Sequence, residues 1–113
     1  MRKIECRYYV HITLTGHAMP VRVRDGEKNV QLVRLVDGCP RLETVKGPGK
    51  YILVTAADSS APVNVCASML LSERGKVARG DTVLCMITDA GNYLGFEKKI
   101  AQGMCEMLNM LGF

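Results

Sequence analysis

The segment KGPGKY, residues 46–51, resembles a phosphate-binding loop, because two glycines lie between two lysines. Such loops bind phosphate where a glycine turn opens a helix whose free N–H groups face the anion. Here the loop leads into the strand-like run YILVTAA, and Pro48 removes one of the N–H groups. The segment is therefore predicted to be a connecting turn rather than a phosphate site.

Two turns that follow apolar runs are better candidates for binding an anion. TAADSSAP carries the hydroxyl groups of Ser59 and Ser60, and TDAGN carries the amide of Asn92. If each turn joins a strand to a helix, the N–H groups at the helix start would face an anion, and open α/β sheets bind ligands there. Helix capping explains the same residues without a ligand, so both interpretations stay open.

The sequence gives little support for a metal site. It holds two histidines, His11 and His17. Cys6 and His11 are an odd number of residues apart, so on a strand they would point to opposite faces. Zinc needs three or four converging ligands, and neither a metal nor another cofactor is expected.

Catalytic chemistry is also weakly indicated. Cys39 is the thiol expected in a loop, but a nucleophilic cysteine needs a nearby base that the sequence does not reveal. The five cysteines include no CxxC pair, which favours reduced thiols packed in a core. Asp58, Asp81 and Asp89 have ordinary roles in turns, and Glu97 is expected to favour a helix N-terminus. No catalytic residue is predicted, and a small enzyme with a site at the strand-helix turns is kept as an alternative.

The first half of the chain is predicted to be an antiparallel meander. IECRYYVHITLT alternates apolar and polar residues, with Tyr9 and His11 on the polar side, which predicts a strand with one buried face. In VRVRDGEKNVQLVRLV, Asp25 and Gly26 fit a tight hairpin turn between strands near 19–24 and 28–36. A short strand near 42–45 would follow.

The second half is predicted to contain two strand-helix units. The apolar runs at 51–57 and 81–88 are typical of strands buried on both faces. Helical spacing follows each run, first from a Ser59 or Ser60 cap to Gly75, and then from Tyr93 to the end. Consecutive units of this kind imply parallel central strands. The predicted fold is α+β, a mixed sheet of about five strands with two helices, forming a single domain over 1–113.

The last predicted helix has more apolar surface than one buried stripe requires, and methionine fits irregular partners. Two interpretations stay open, a helix wedged into its own core and a protein-protein interface with a second copy or a foreign target. The predicted interface residues are Phe96, Ile100, Met104, Met107, Leu108, Met110 and Leu111.

Positive charge is concentrated in residues 1–50, which hold ten Lys and Arg against five Asp and Glu. Such a surface would neutralise nucleic-acid phosphates, although it lacks a series of aromatic residues for base stacking. A solvated strand face is the competing interpretation. The candidate nucleic-acid-binding residues are Arg22, Arg24, Arg34, Arg41, Lys46 and Lys50.

The sequence contains no run of about eighteen apolar residues and its start lacks the continuous apolar stretch of a secretory signal, so a cytoplasmic protein without membrane contact is expected. The preferred function is a small binding or regulatory module, an adaptor or inhibitor, that acts through its methionine-rich C-terminal helix. Homodimerisation is one form of that contact, and nucleic-acid binding is the main alternative.

Overall fold

The alternating segment at the start of the chain forms a strand that pairs with three other strands of the sheet. The computed structural model describes residues 6–24, 28–47, 49–57 and 60–110. Its elements are β1 (Cys6–Ile12), β2 (Ala18–Arg22), α1 (Lys28–Val36), β3 (Pro40–Thr44), β4 (Tyr51–Ala56), α2 (Val65–Ser68), β5 (Thr82–Ile87), β6 (Tyr93–Leu94), β7 (Phe96–Glu97) and α3 (Lys98–Met110). The predicted α+β class is confirmed.

The seven strands form one sheet in the order β2-β1-β5-β4-β3, with β6 paired to β5 and β7 paired to β1. Every pairing among these strands is antiparallel, so the prediction of a mixed sheet with parallel central strands is wrong. A parallel connection needs a long crossover back along the sheet. Among the described residues between β4 and β5, the helix is the four-residue α2, and β5 starts beside the end of β4.

The predicted helix from 59 or 60 to 75 is largely wrong, because its backbone bonds to other segments instead. Lys46 N–H donates to the Leu70 carbonyl at 2.9 Å, and Ser72 N–H donates to the Thr44 carbonyl at 3.1 Å. These bonds tie residues 70–72 to the end of β3. The apolar spacing that suggested a helix reflects burial of Cys66, Ala67 and Leu71.

The predicted strand near 28–36 is also wrong, because these residues form α1. The hairpin turn at Asp25 and Gly26 lies outside the described residues. Leu32, Leu35 and Val36 have the i, i+3, i+4 spacing of one helix face, and they pack on the sheet with Tyr9 and Val23. A short apolar run fits both the period of a strand and that of a helix. Packing against the sheet selects the helix here.

The last helix begins at Lys98 rather than near Tyr93. Residues 93–97 instead form two short strands, which pair with β5 and β1. Gly95 separates them, and a Cβ there would lie 2.6 Å from the Tyr8 backbone nitrogen. This close approach to the backbone of β1 requires glycine at position 95.

Both faces of the sheet are covered. Helix α1 covers one face, where Tyr9, Val54, Val83 and Cys85 are buried. Helix α3 covers the other, where the buried residues include Val10, Ile12, Leu53, Leu84 and Ala101. The continuous run in β4 is therefore buried on both faces as predicted. The predicted polar side of β1 is not solvated, since Tyr9 is fully buried beneath α1.

Side-chain amides cover the outer edge of β2. Asn109 of α3 accepts a hydrogen bond from Ala18 N–H at 2.8 Å and donates to its carbonyl at 3.0 Å. Pro20, the next outward residue, has no N–H. Gln31 of α1 donates to the Arg22 carbonyl at 2.7 Å. The backbone groups that would pair with another strand are thus largely occupied.

Within the described part of the chain, no helix is both long and apolar enough to cross a membrane.

Candidate functional site

Helix α3 has one side in the core and an apolar side that is exposed. Ala101, Cys105 and Leu108 are buried. Ile100, Met107 and Met110 are 45%, 62% and 85% exposed. The wide apolar arc of the sequence therefore divides between the chain's own core and a solvent-facing surface.

The predicted interface residues do not all lie on this surface. Phe96 belongs to β7, is 1% exposed and packs edge-on against Tyr51 with ring centroids 5.1 Å apart. Leu108 is buried in the same core, and Leu111 lies outside the described residues. Phe96 therefore does not reach the exposed side of α3, whereas Leu108, although buried, lines a groove beside it.

An apolar groove of about 180 Å³ adjoins the exposed side of α3. Met104, Met107 and Leu108 contribute from the helix, while Tyr51 and Leu84 contribute from the sheet. Val45, Lys46 and Leu70 complete the lining. Met104, which is half-buried, connects the groove to the core.

Hydrogen bonds fix the wall of the groove opposite α3. Besides the backbone bonds of Lys46 and Ser72, the Thr44 and Ser72 hydroxyl groups lie 2.7 Å apart. Glu43, on the same strand, pairs with Arg41 and Lys76, each at 3.0 Å. Leu70 and Val45 are therefore held in place beside each other.

Asn64 anchors the segment that carries this wall, a role that the sequence analysis missed. Its amide nitrogen donates to the carbonyls of Ile12, Thr13 and Gly80 at 3.1, 3.0 and 2.9 Å. Its oxygen accepts from Ala67 N–H at 3.0 Å and caps α2. Asn64 is fully buried, so one amide joins the end of β1 to α2 and to Gly80, shortly before β5. An asparagine before an apolar run is a capping signal, but its distant partners leave no trace in the sequence.

The basic residues divide between the β2 edge and the β3 edge of the sheet. Arg7, Arg22 and Arg24 line an open cleft of about 590 Å³ together with Gln31. Arg34 lines an adjoining cleft that also contains Arg24 and Gln31. Three arginines of the predicted set therefore lie near one another at β2 and α1.

The remaining basic candidates lie elsewhere. Arg41 is on β3, at the opposite edge of the sheet, and is paired with Glu43. Lys46 and Lys50 are exposed on either side of the turn that joins β3 to β4. The predicted basic hairpin does not exist as one surface.

The predicted anion site loses its structural basis. Ser59 lies outside the described residues, Ser60 is exposed, and α2 starts later, after Asn64. At the other turn, Asn92 N–H donates to the Thr88 hydroxyl, and the chain continues into β6 rather than a helix. Because β4 and β5 are antiparallel, the two turns that follow them lie at opposite ends of the sheet.

Two polar groups are buried on the α1 face. The Tyr9 hydroxyl and His11 Nε2 have no hydrogen-bond partner among the described residues. The Asp81 carboxylate lies 3.7 Å from His11 Nε2, while its other oxygen accepts from Leu14 N–H at 2.8 Å. Burial lowers the pKa of His11, against the opposing effects of Asp81 and of a backbone hydrogen bond with Leu35. Burial also raises the pKa of Tyr9. The Tyr9 hydroxyl and the His11 ring lie inside the fold. The contacts of the Asp81 carboxylate with His11 and Leu14 favour a structural role for Asp81 at the start of β5.

The cysteines separate by exposure. Cys39 is exposed, whereas Cys66, Cys85 and Cys105 are buried. Burial raises the pKa of Cys85 to about 12 and that of Cys105 to about 11. These thiols therefore stay protonated at neutral pH.

Among the described residues, no three histidine, cysteine or acidic side chains come together as metal ligands. Comparisons of the chain with protein-family models, with curated proteins and with solved structures give no match.

Proposed function

We propose that this chain is a small protein-binding module, an adaptor or inhibitor, whose contact surface is the exposed side of α3 and the adjoining groove. The observation that carries the proposal is the exposure of Met107 and Met110, at 62% and 85%, on a helix whose opposite side is in the core. Isolated exposed apolar residues need no explanation, but apolar residues beside an apolar groove are typical of an interaction site.

The composition of this surface suits a protein partner. Methionine side chains adjust to irregular shapes without a large conformational penalty. Apolar anchors near the centre of an interface contribute most of its binding energy. Met107 belongs to both the exposed side of α3 and the groove, so it would lie at the centre of the contact.

The test compares two charge substitutions on the same helix. Met107→Glu places a carboxylate in the proposed contact, whereas Gln102→Glu adds the same charge at an exposed position outside the groove lining. Both variants should fold, with circular-dichroism melts close to that of the unmodified protein, because both positions are exposed.

Binding is then measured by light scattering for self-association and by affinity capture for foreign partners. Met107→Glu should lose the dimer or the captured protein, and Gln102→Glu should keep it. A protein that is monomeric at all concentrations and whose captured proteins are unchanged by Met107→Glu would contradict the proposal.

A second candidate function is nucleic-acid binding, which the grouping of Arg7, Arg22, Arg24 and Arg34 around adjoining clefts favours. Several cations close together bind phosphates with a strong salt dependence. Fluorescence anisotropy with a labelled single strand and a labelled duplex, at low and moderate salt, tests it. Binding that weakens with salt and falls in Arg34→Glu would support this function, and a flat titration at low salt would reject it.

A further inference from the structure

We infer that the groove beside α3 takes one large apolar side chain, aromatic or branched, from an acidic peptide segment of a partner protein. The inference rests on the proposed function and adds the chemistry of the partner. The size of the groove, its lining and its charge each support it.

The size of the groove matches one side chain. Its volume of about 180 Å³ is below the roughly 300–1,000 Å³ of ordinary small-molecule sites. It is close to the ~150 Å³ cavity that accommodates a benzene ring. A single phenylalanine or leucine side chain therefore suits this volume better than a cofactor-sized ligand does.

The lining is apolar and adjustable. Seven of the eight lining residues are apolar or aromatic. Met104 and Met107 form the movable wall on α3, whereas hydrogen bonds hold Val45 and Leu70 on the other side. A partner side chain would thus enter between one fixed wall and one that adapts.

The groove lining includes a positively charged side chain. Lys46 is the charged member of the lining, is exposed, and has its backbone fixed by the Leu70 carbonyl. Glu43, two residues before Val45, is already paired with Arg41 and Lys76 at 3.0 Å. Among the described residues that line the groove, no carboxylate offsets the Lys46 ammonium group. Complementary charges steer and select partners, so carboxylates next to the apolar anchor are favoured.

The test uses three synthetic peptides and methyl-labelled methionines. The probes are the peptide DEGFGED, the same peptide with alanine for phenylalanine, and the basic peptide KRGFGRK. Titration into protein labelled with ¹³C at the methionine methyl groups follows Met104 and Met107, with Met19 on β2, outside the groove lining, as an internal reference. DEGFGED should shift the Met104 and Met107 signals, and the alanine peptide should bind about tenfold more weakly or worse.

Charge reversal completes the test. Lys46→Glu should weaken DEGFGED several-fold and strengthen KRGFGRK, whereas Lys50→Glu, on the other arm of the same turn and outside the groove lining, should have a smaller effect. A circular-dichroism melt checks that both variants fold.

Each outcome has a distinct meaning. Equal binding of DEGFGED and KRGFGRK would overturn the inference and leave the proposed function standing. The same holds if no peptide shifts the Met104 and Met107 signals while Met107→Glu still abolishes partner capture. If those signals move only with protein concentration, a second copy occupies the groove and the inference is wrong. Failure of every peptide together with unchanged capture by Met107→Glu would reject both.

Discussion

Replacing the buried Asn64 by alanine should destabilise the fold by about 3–4 kcal/mol. The amide NH₂ group shares its two hydrogens among three carbonyl oxygens at 2.9 to 3.1 Å, and the amide oxygen accepts from Ala67 N–H at 3.0 Å. This is equivalent to about three hydrogen bonds, each of which contributes about 1 kcal/mol net. The Ile12 carbonyl keeps the Thr82 hydroxyl as a donor, which reduces the loss. The Gly80 carbonyl and the Ala67 N–H lose their side-chain partner, and buried groups left unpaired are costly.

Asn64→Asp provides a sharper comparison, because it preserves the shape but replaces the donor by an acceptor. One oxygen of a carboxylate at this position would keep the Ala67 N–H as a donor, but the other would face three carbonyl oxygens, and burying that oxygen without a donor is unfavourable. We therefore expect Asn64→Asp to be less stable than Asn64→Ala at pH 7. Asn92→Ala is the matched control, since Asn92 is exposed and should change stability by no more than about 0.5 kcal/mol.

Urea denaturation followed by circular dichroism measures these differences, provided that the slope of the transition stays constant. For a domain of this size the Asn64→Ala loss corresponds to a fall in Tm of about 10–15 °C. A loss below about 1 kcal/mol, or an aspartate variant more stable than the alanine variant at pH 7, would refute the role assigned to the amide donors.

Three further predictions concern other parts of the fold. Burial lowers the pKa of His11 in the folded protein below its ordinary value of 6.5. His11 therefore contributes stability that is present above pH 6.5 and is lost as the pH falls through the lowered pKa of the folded state. The urea midpoint should thus fall more between pH 7 and pH 5 in the unmodified protein than in His11→Gln, and equal falls would contradict this. Asn109→Ala removes the side-chain partner of both backbone groups of Ala18 and should lower the free energy of unfolding by about 1–2 kcal/mol. Light scattering at high protein concentration should show more aggregation for this variant than for the exposed control Gln102→Ala. Unchanged stability and aggregation would count against this role of Asn109. Iodoacetamide should modify Cys39 in the native protein at neutral pH, because this thiol is exposed. Mass spectrometry should find the buried thiols of Cys66, Cys85 and Cys105 unmodified. Rapid labelling of those three would show that the fold opens.

The elements predicted correctly are those whose pattern is complete within one segment. The alternation in β1 and the apolar run in β4 each specify a strand, because period two and continuous burial leave little choice. The α+β class follows from these strands together with the helical spacing of the C-terminal segment. The run at 28–36 is short enough to fit either periodicity, and Leu32 and Val36 become a helix face through contacts with distant strands.

The candidate site was only partly predictable. Sequence spacing revealed an unusually wide apolar arc near the C-terminus, but the division into core and surface depends on where the sheet lies. Phe96 is in a strand because residues 93–97 pair with β5 and β1. Asn64 could not be singled out, since its carbonyl partners are up to 52 residues away in the chain. The single domain, the cytoplasmic location and the function stay predictions.

The closed edge of β2 has a consequence for biosynthesis. Its two amides come from helices on opposite faces, and Asn109 belongs to α3, which follows all seven described strands in the chain. While a ribosome is still producing the chain, the sheet can begin to form before α3 has emerged. During that interval Ala18 presents an unpaired donor and acceptor to neighbouring chains. The risk of misassembly is therefore concentrated in nascent and C-terminally truncated molecules, and it falls once the last helix docks.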